Sequence, residues 1–114
     1  MAIREQEGDL PVPAQIIVAY RTPADPRAFD KYYFETHVPI AWKIPGVCKY
    51  HVSRGPIATP AGPSPYHLIA TLTFDSVADI QKAFASPEGQ AAAADVQKFA
   101  TGGVEMNFFE SGTV

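Results

Sequence analysis

The sequence predicts an α+β domain, a four-stranded antiparallel sheet with its helices on one face, in the order βαββαβ. Three observations carry that expectation. Short β-branched and aromatic runs (QIIVAY, YHLIATLTF, VEMNFFE) alternate with capped amphipathic stretches of helical period. The 114 residues are enough for one domain with a core, but not for two. A single cysteine, Cys48, excludes an intramolecular disulfide framework, so burial must hold the fold; its apolar neighbours suggest a buried, inert thiol.

Residues 1–13, MAIREQEGDLPVP, show no apolar periodicity and are expected to form a tail ahead of a domain over residues 14–114. Gln15 to Tyr20 reads as the first strand. Asp25 then caps a helix with Pro26 at its first position, where the missing N–H is not needed. Phe29, Tyr32, Tyr33, Thr36 and His37 share one side of it. Pro39 lacks a donor and crowds the Glu35 carbonyl, so the helix is expected to end or kink near His37. Ile40, Ala41 and Ile44 suggest one more turn before Pro45-Gly46. Val47 to Arg54 reads as a second strand, Gly55 to Pro65 as a Pro/Gly-rich connection, and Tyr66 to Phe74 as a strongly alternating third strand. Ser76 caps a second helix with Val77, Ile80, Ala83 and Phe84 as its apolar stripe. Ser86-Pro87-Glu88 opens an alanine-rich third helix to about Ala100, Thr101-Gly102-Gly103 closes it, and Val104 to Glu110 is the last strand. This is the ferredoxin-like arrangement.

Helices on one face leave the other uncovered, and a monomer would make that face polar. Here Ile17 and Ala19 lie opposite Ile16, Val18 and Tyr20, Phe109 lies opposite Met106 and Phe108, and Ile69 interrupts threonines. The expectation is a homodimer through the sheet face. The formal net charge of −3 lacks the clustered basic face that nucleic acid requires. The longest apolar stretch, Ile16 to Tyr20, is far too short to span a bilayer, and the N-terminus does not resemble a signal peptide. A cytoplasmic location is expected, with neither nucleic acid nor membrane as partner.

The inventory for chemistry is short. His37, His51 and His67 form no metal-ligand spacing, no glycine-rich phosphate loop opens a helix, and no Gly-x-Ser-x-Gly elbow is present. No metal or cofactor is expected. His37 follows Tyr33 by one turn at the break that Pro39 imposes, and imidazole suits proton transfer near neutral pH. It is either a general base or acid, or a structural histidine bonded to a carbonyl that Pro39 frees. Tyr33 either donates to a substrate oxygen or packs in the core with Phe29. Phe29, Trp42 and Tyr66 are candidate walls of a pocket between the first helix and the sheet, Arg54 a candidate anchor for an anionic substrate, and the 55–65 loop a candidate lid.

Asp25-Pro26-x-x-Phe29-Asp30-x-Tyr32-Tyr33-x-x-x-His37-x-Pro39, then Ile44-Pro45-Gly46, Pro65 to Phe74, Ser86-Pro87-Glu88-Gly89-Gln90 and Phe99 to Gly103, resembles the EthD family of the dimeric α+β barrel superfamily. The resemblance runs from about Gln15 to Glu110. It implies a ferredoxin-like protomer paired through its sheet, with the family's characteristic histidine at His37. It also implies small-molecule chemistry in catabolism or secondary metabolism: cofactor-free proton transfer, lyase, isomerase or monooxygenase-type chemistry on an apolar carbonyl or phenolic substrate. The alternative functions are a carrier of a hydrophobic metabolite for a partner oxygenase and a haem-binding relative.

Overall fold

The computed structural model describes residues 12–114. Of the tail expected over residues 1–13, only Val12 and Pro13 fall within that range; the rest lies outside the described residues. The Pro13 carbonyl accepts from the Ser111 N–H at 2.8 Å, joining the two ends of the described chain.

Four strands form the sheet in the order β2-β5-β1-β6, every neighbouring pair antiparallel. They are β1 (Ala14–Arg21), β2 (Lys49–Val52), β5 (Tyr66–Phe74) and β6 (Val104–Glu110). β1 and β2 therefore run the same way with β5 between them, the split βαβ of the ferredoxin-like class. β2 is shorter than the sequence suggests, although Cys48 and Ser53 still donate to Thr73 and Ile69 of β5 beyond its ends. The 55–65 connection contains a small hairpin, β3 (Ala58–Thr59) with β4 (Gly62–Pro63).

Alternation decides what each face buries. Ala14, Ile16, Val18 and Tyr20 of β1 and Leu68, Ala70, Leu72 and Phe74 of β5 all face the helices and are buried. The helices over them are α1 (Pro26–Tyr32), α2 (Val38–Trp42), α3 (Val77–Ala85) and α4 (Pro87–Val96). Side-chain caps start α1, α3 and α4: Asp25 accepts from Ala28 N–H, Ser76 from Asp79 N–H and Ser86 from Gly89 N–H. Each cap contributes on the order of 1 kcal/mol. Gly89 is required where α3 meets α4, because a Cβ there would stand 1.9 Å from the Ala83 carbonyl oxygen.

The uncovered face is mixed rather than uniformly apolar. By strand register Ile17, Ala19, Ile69 and Phe109 share it with Thr71, Thr73, His51 and Asn107. Met106 and Phe108 project from the opposite side, at the β6 edge, where they are 46% and 43% exposed. Cys48, expected to be buried, is exposed because it precedes β2 rather than lying within it. Among the described residues no helix is long and apolar enough to cross a membrane.

Candidate active site

Pro39 does not end the first helix. Helical backbone continues from Pro26 to Trp42, and the proline is accommodated by a π-turn over Tyr33–His37, in which the Val38 N–H reaches back to the Tyr33 carbonyl. A regular turn would drive the proline ring into the Glu35 carbonyl; the wider turn relieves that crowding. It leaves Tyr33 and His37 buried together, with ring centroids 5.4 Å apart.

Both side chains face a narrow cavity of about 60 Å³ between the sheet and the helices. Its walls are almost wholly apolar: Ile16 and Val18 of β1, Leu72 of β5, Ala92 and Val96 of α4, and Met106 of β6. Among the described residues the polar side chains that line it belong to His37, Tyr33, Tyr50 and Tyr20. No lysine or arginine among the described residues lines it.

His37 Nδ1 lies 2.9 Å from Asp95 Oδ2, and both residues are 4% exposed. Asp95 Oδ1 accepts from the Tyr32 hydroxyl at 2.6 Å, and Lys98 Nζ stands 3.9 Å from the same oxygen. Burial lowers the His37 pKa more than its bond to Asp95 and the carboxylate's charge raise it. For Asp95, burial alone would raise the carboxyl, but the bonds from Tyr32 and His37 and the nearby charges hold it below the usual range. The pair at neutral pH is therefore a neutral imidazole beside a carboxylate. A carboxylate can only accept, so the proton sits on Nδ1 and Nε2 carries a lone pair. Nε2 has no hydrogen-bond partner among the described residues, and no fully buried polar side-chain atom there is left unsatisfied, so it opens on the cavity.

The Tyr33 and Tyr50 hydroxyls are 2.6 Å apart. One donates to the other, which leaves one phenolic proton for a third group. Burial first, and each other's proximity next, push Tyr33 far above an ordinary phenol; burial also raises Tyr50. Both remain neutral donors. The cavity thus juxtaposes one proton acceptor and phenolic donors in surroundings of low polarity, the constellation needed to take a proton while steadying a developing oxyanion.

The other predicted site residues lie elsewhere. Phe29 is 3% exposed and stacks behind Tyr33 at 5.7 Å with rings nearly parallel, supporting it without lining the cavity. Trp42 is 50% exposed and packs against Tyr50 from outside, 5.7 Å between centroids. Arg54 and Tyr66 line a separate open cleft bounded by the 55–65 connection, which therefore borders that cleft and not the cavity. Arg54 lies 5.9 Å from the Phe34 ring centroid, and the Tyr66 hydroxyl donates to Glu105. Sequence reasoning missed Asp95, Tyr50 and Tyr20. One signal for Asp95 was present: with Ala92, Val96 and Phe99 it occupies the buried stripe of an alanine-rich helix, where a lone carboxylate needs a partner.

The chain matches the EthD domain family over residues 21–103. It is 46% identical over 100 residues to an uncharacterized 11.0 kDa protein in the thcB-thcC intergenic region of Rhodococcus erythropolis, covering 88% of this chain and 96% of that one. An EthD family protein of Bacillus halodurans superposes with a TM-score of 0.81 at 33% identity, over 88% of this chain and 99% of that one. The fold alone is shared with the hydroxynitrile lyase of Passiflora edulis, at a TM-score of 0.72 and 17% identity, over 91% and 97% of the two chains. It is likewise shared with a dimeric ferredoxin-like protein of Thermobifida fusca, at 0.65 and 13%, over 88% and 92%.

Proposed function

Because the chain belongs to the EthD family, we propose that it is an enzyme that moves a proton, without a cofactor, on a small neutral molecule bearing an acceptor oxygen. The observation that carries this reading is the His37–Asp95 pair: a buried carboxylate holds the Nδ1 proton and leaves Nε2 as a base on an apolar cavity. Nε2 takes a proton from the carbon beside a carbonyl, or from a hydroxyl. In the first case the electron pair of the broken C–H bond forms a C=C bond, the carbonyl π pair moves onto oxygen, and that oxygen accepts a hydrogen bond from the free phenol of the Tyr33–Tyr50 pair. The imidazolium so formed is stabilised by Asp95, and returning its proton completes exchange or isomerisation. Arg54 and Tyr66 take no part, since they open on another cleft. That no lysine or arginine lines the cavity among the described residues favours neutral substrates over carboxylates.

The occurrence of a hydroxynitrile lyase on this fold supports proton chemistry of this class. A second copy on the uncovered sheet face, around Ile17, Ile69 and Phe109, completes the assembly we infer.

Proton NMR of cyclopentanone in D₂O tests the reading. The protein should accelerate exchange of the ketone's α-protons, and His37→Ala should lower that acceleration by a factor on the order of 100 or more. Acceleration that survives the substitution overturns the base assignment. Saturable binding with no exchange would instead make the protein a carrier of small apolar metabolites.

A further inference from the structure

Tyr20 has no task in the proton transfer described above. It lies at the end of β1, 2% exposed, with its ring fixed by edge contacts with Phe29 at 5.4 Å and Tyr33 at 5.6 Å and by a tilted contact with Phe99 at 5.5 Å. Phenylalanine would satisfy all three. The hydroxyl makes no hydrogen bond to any described residue, yet no fully buried polar side-chain atom among them is left unsatisfied. It therefore reaches open space, and the space that Tyr20 lines is the cavity of His37 and Tyr33. A rigidly held donor that opens on the cavity and has no protein partner among the described residues is free to donate to an acceptor placed there.

We propose that Tyr20 is a substrate-binding residue whose phenol donates a hydrogen bond to the acceptor oxygen of a neutral carbonyl compound. The proposal rests on the cavity being the substrate site. Burial, reinforced by the neighbouring Tyr50 and Asp95, raises the Tyr20 pKa, so the donor stays protonated throughout the physiological range. Its position on a central strand, hydrogen-bonded on both sides, fixes the direction from which the oxygen is held. The Tyr33–Tyr50 pair offers one proton and Tyr20 a second, which matches the two lone pairs of a carbonyl oxygen.

Tyr20→Phe, studied with cyclopentanone as the probe, separates this role from a structural one. Unfolding in urea should show no loss of stability, because the deleted hydroxyl has no protein partner. Cyclopentanone should bind about 3- to 10-fold more weakly, as expected for one neutral hydrogen bond. The infrared carbonyl stretch of the bound ketone, lowered by hydrogen bonding in the wild type, should move back to higher frequency. An unchanged affinity and stretch, or a ketone that does not bind the wild-type protein, overturns the proposal, as does cyclopentanecarboxylate binding as tightly as the ketone. The stretch reports binding alone, so it should persist in His37→Ala. A failure of His37 as base and a failure of Tyr20 as donor are thereby read separately.

Discussion

Asp95 is the residue on which the site's chemistry turns, although it does not itself line the cavity. Replacing it with Asn preserves shape but removes the charge and turns one of the two accepting oxygens into an amide donor, so the Tyr32 and Nδ1 protons compete for the one acceptor that remains. Turnover should then fall by a factor on the order of 10² to 10⁴, while folding weakens by about 1–3 kcal/mol through the lost charge-assisted bonds. Steady-state kinetics and urea unfolding measure the two effects. The same pair makes stability depend on pH. The His37 pKa is lowered in the fold, so as pH drops below about 6.5 the unfolded chain takes up protons that the folded chain does not, and stability falls. The Asp95 pKa is also lowered, so its contribution is complete above the ordinary carboxylate range and is lost as pH drops below it. Unfolding free energy should therefore rise with pH through both windows and flatten near neutrality. A stability that falls between pH 5 and 7 would contradict these signs. His37 and Tyr33 were legible as candidates because both lie on one face before a proline. Asp95 was legible only as a carboxylate on a buried stripe; its pairing with His37 was not, since 58 residues separate them and the packing of α4 against the π-turn brings them together.

At the scale of elements, local punctuation was the most legible part of the sequence. Asp25, Ser76 and Ser86 all cap where their spacing suggests. The π-turn was not legible, because a stripe at i and i+4 fits a π-turn as well as an α-helix. Its cause is Pro39, which gives a direct expectation. Pro39→Ala restores a backbone donor and lets a regular turn re-form, so Tyr33 and His37 should lose their common aim. Stability should change by no more than about 1 kcal/mol, while turnover drops at least roughly 10-fold. A variant with full activity would show that the wide turn has another origin. Gly89→Ala probes the α3–α4 junction. Its Cβ would meet the Ala83 carbonyl oxygen at 1.9 Å, so the helices must part and stability should fall by about 2–3 kcal/mol in urea unfolding.

For the whole molecule, sheet order and helix placement follow from strand count and alternation, and the ferredoxin-like class was readable from the element order alone. The nature of the second face was only partly readable. Listing apolar residues on both sides of the strands overstates it, because register gives Met106 and Phe108 to the helix side and threonines to the open side. A mixed face still suits a pairing surface, since interfaces are only modestly more apolar than ordinary surface. In sedimentation the chain should have the mass of two copies, and Ile69→Lys should shift it towards one by placing a charge in the middle strand of that face. A wild-type protein that remains monomeric at micromolar concentration would remove the sheet-face assembly. The central claim concerns a single nitrogen, and ¹⁵N NMR of the imidazole ring reads it directly. At pH 7 His37 should be neutral, with its proton on Nδ1 and an unprotonated Nε2. A ring that is cationic at pH 7, or that carries its proton on Nε2, would contradict the account.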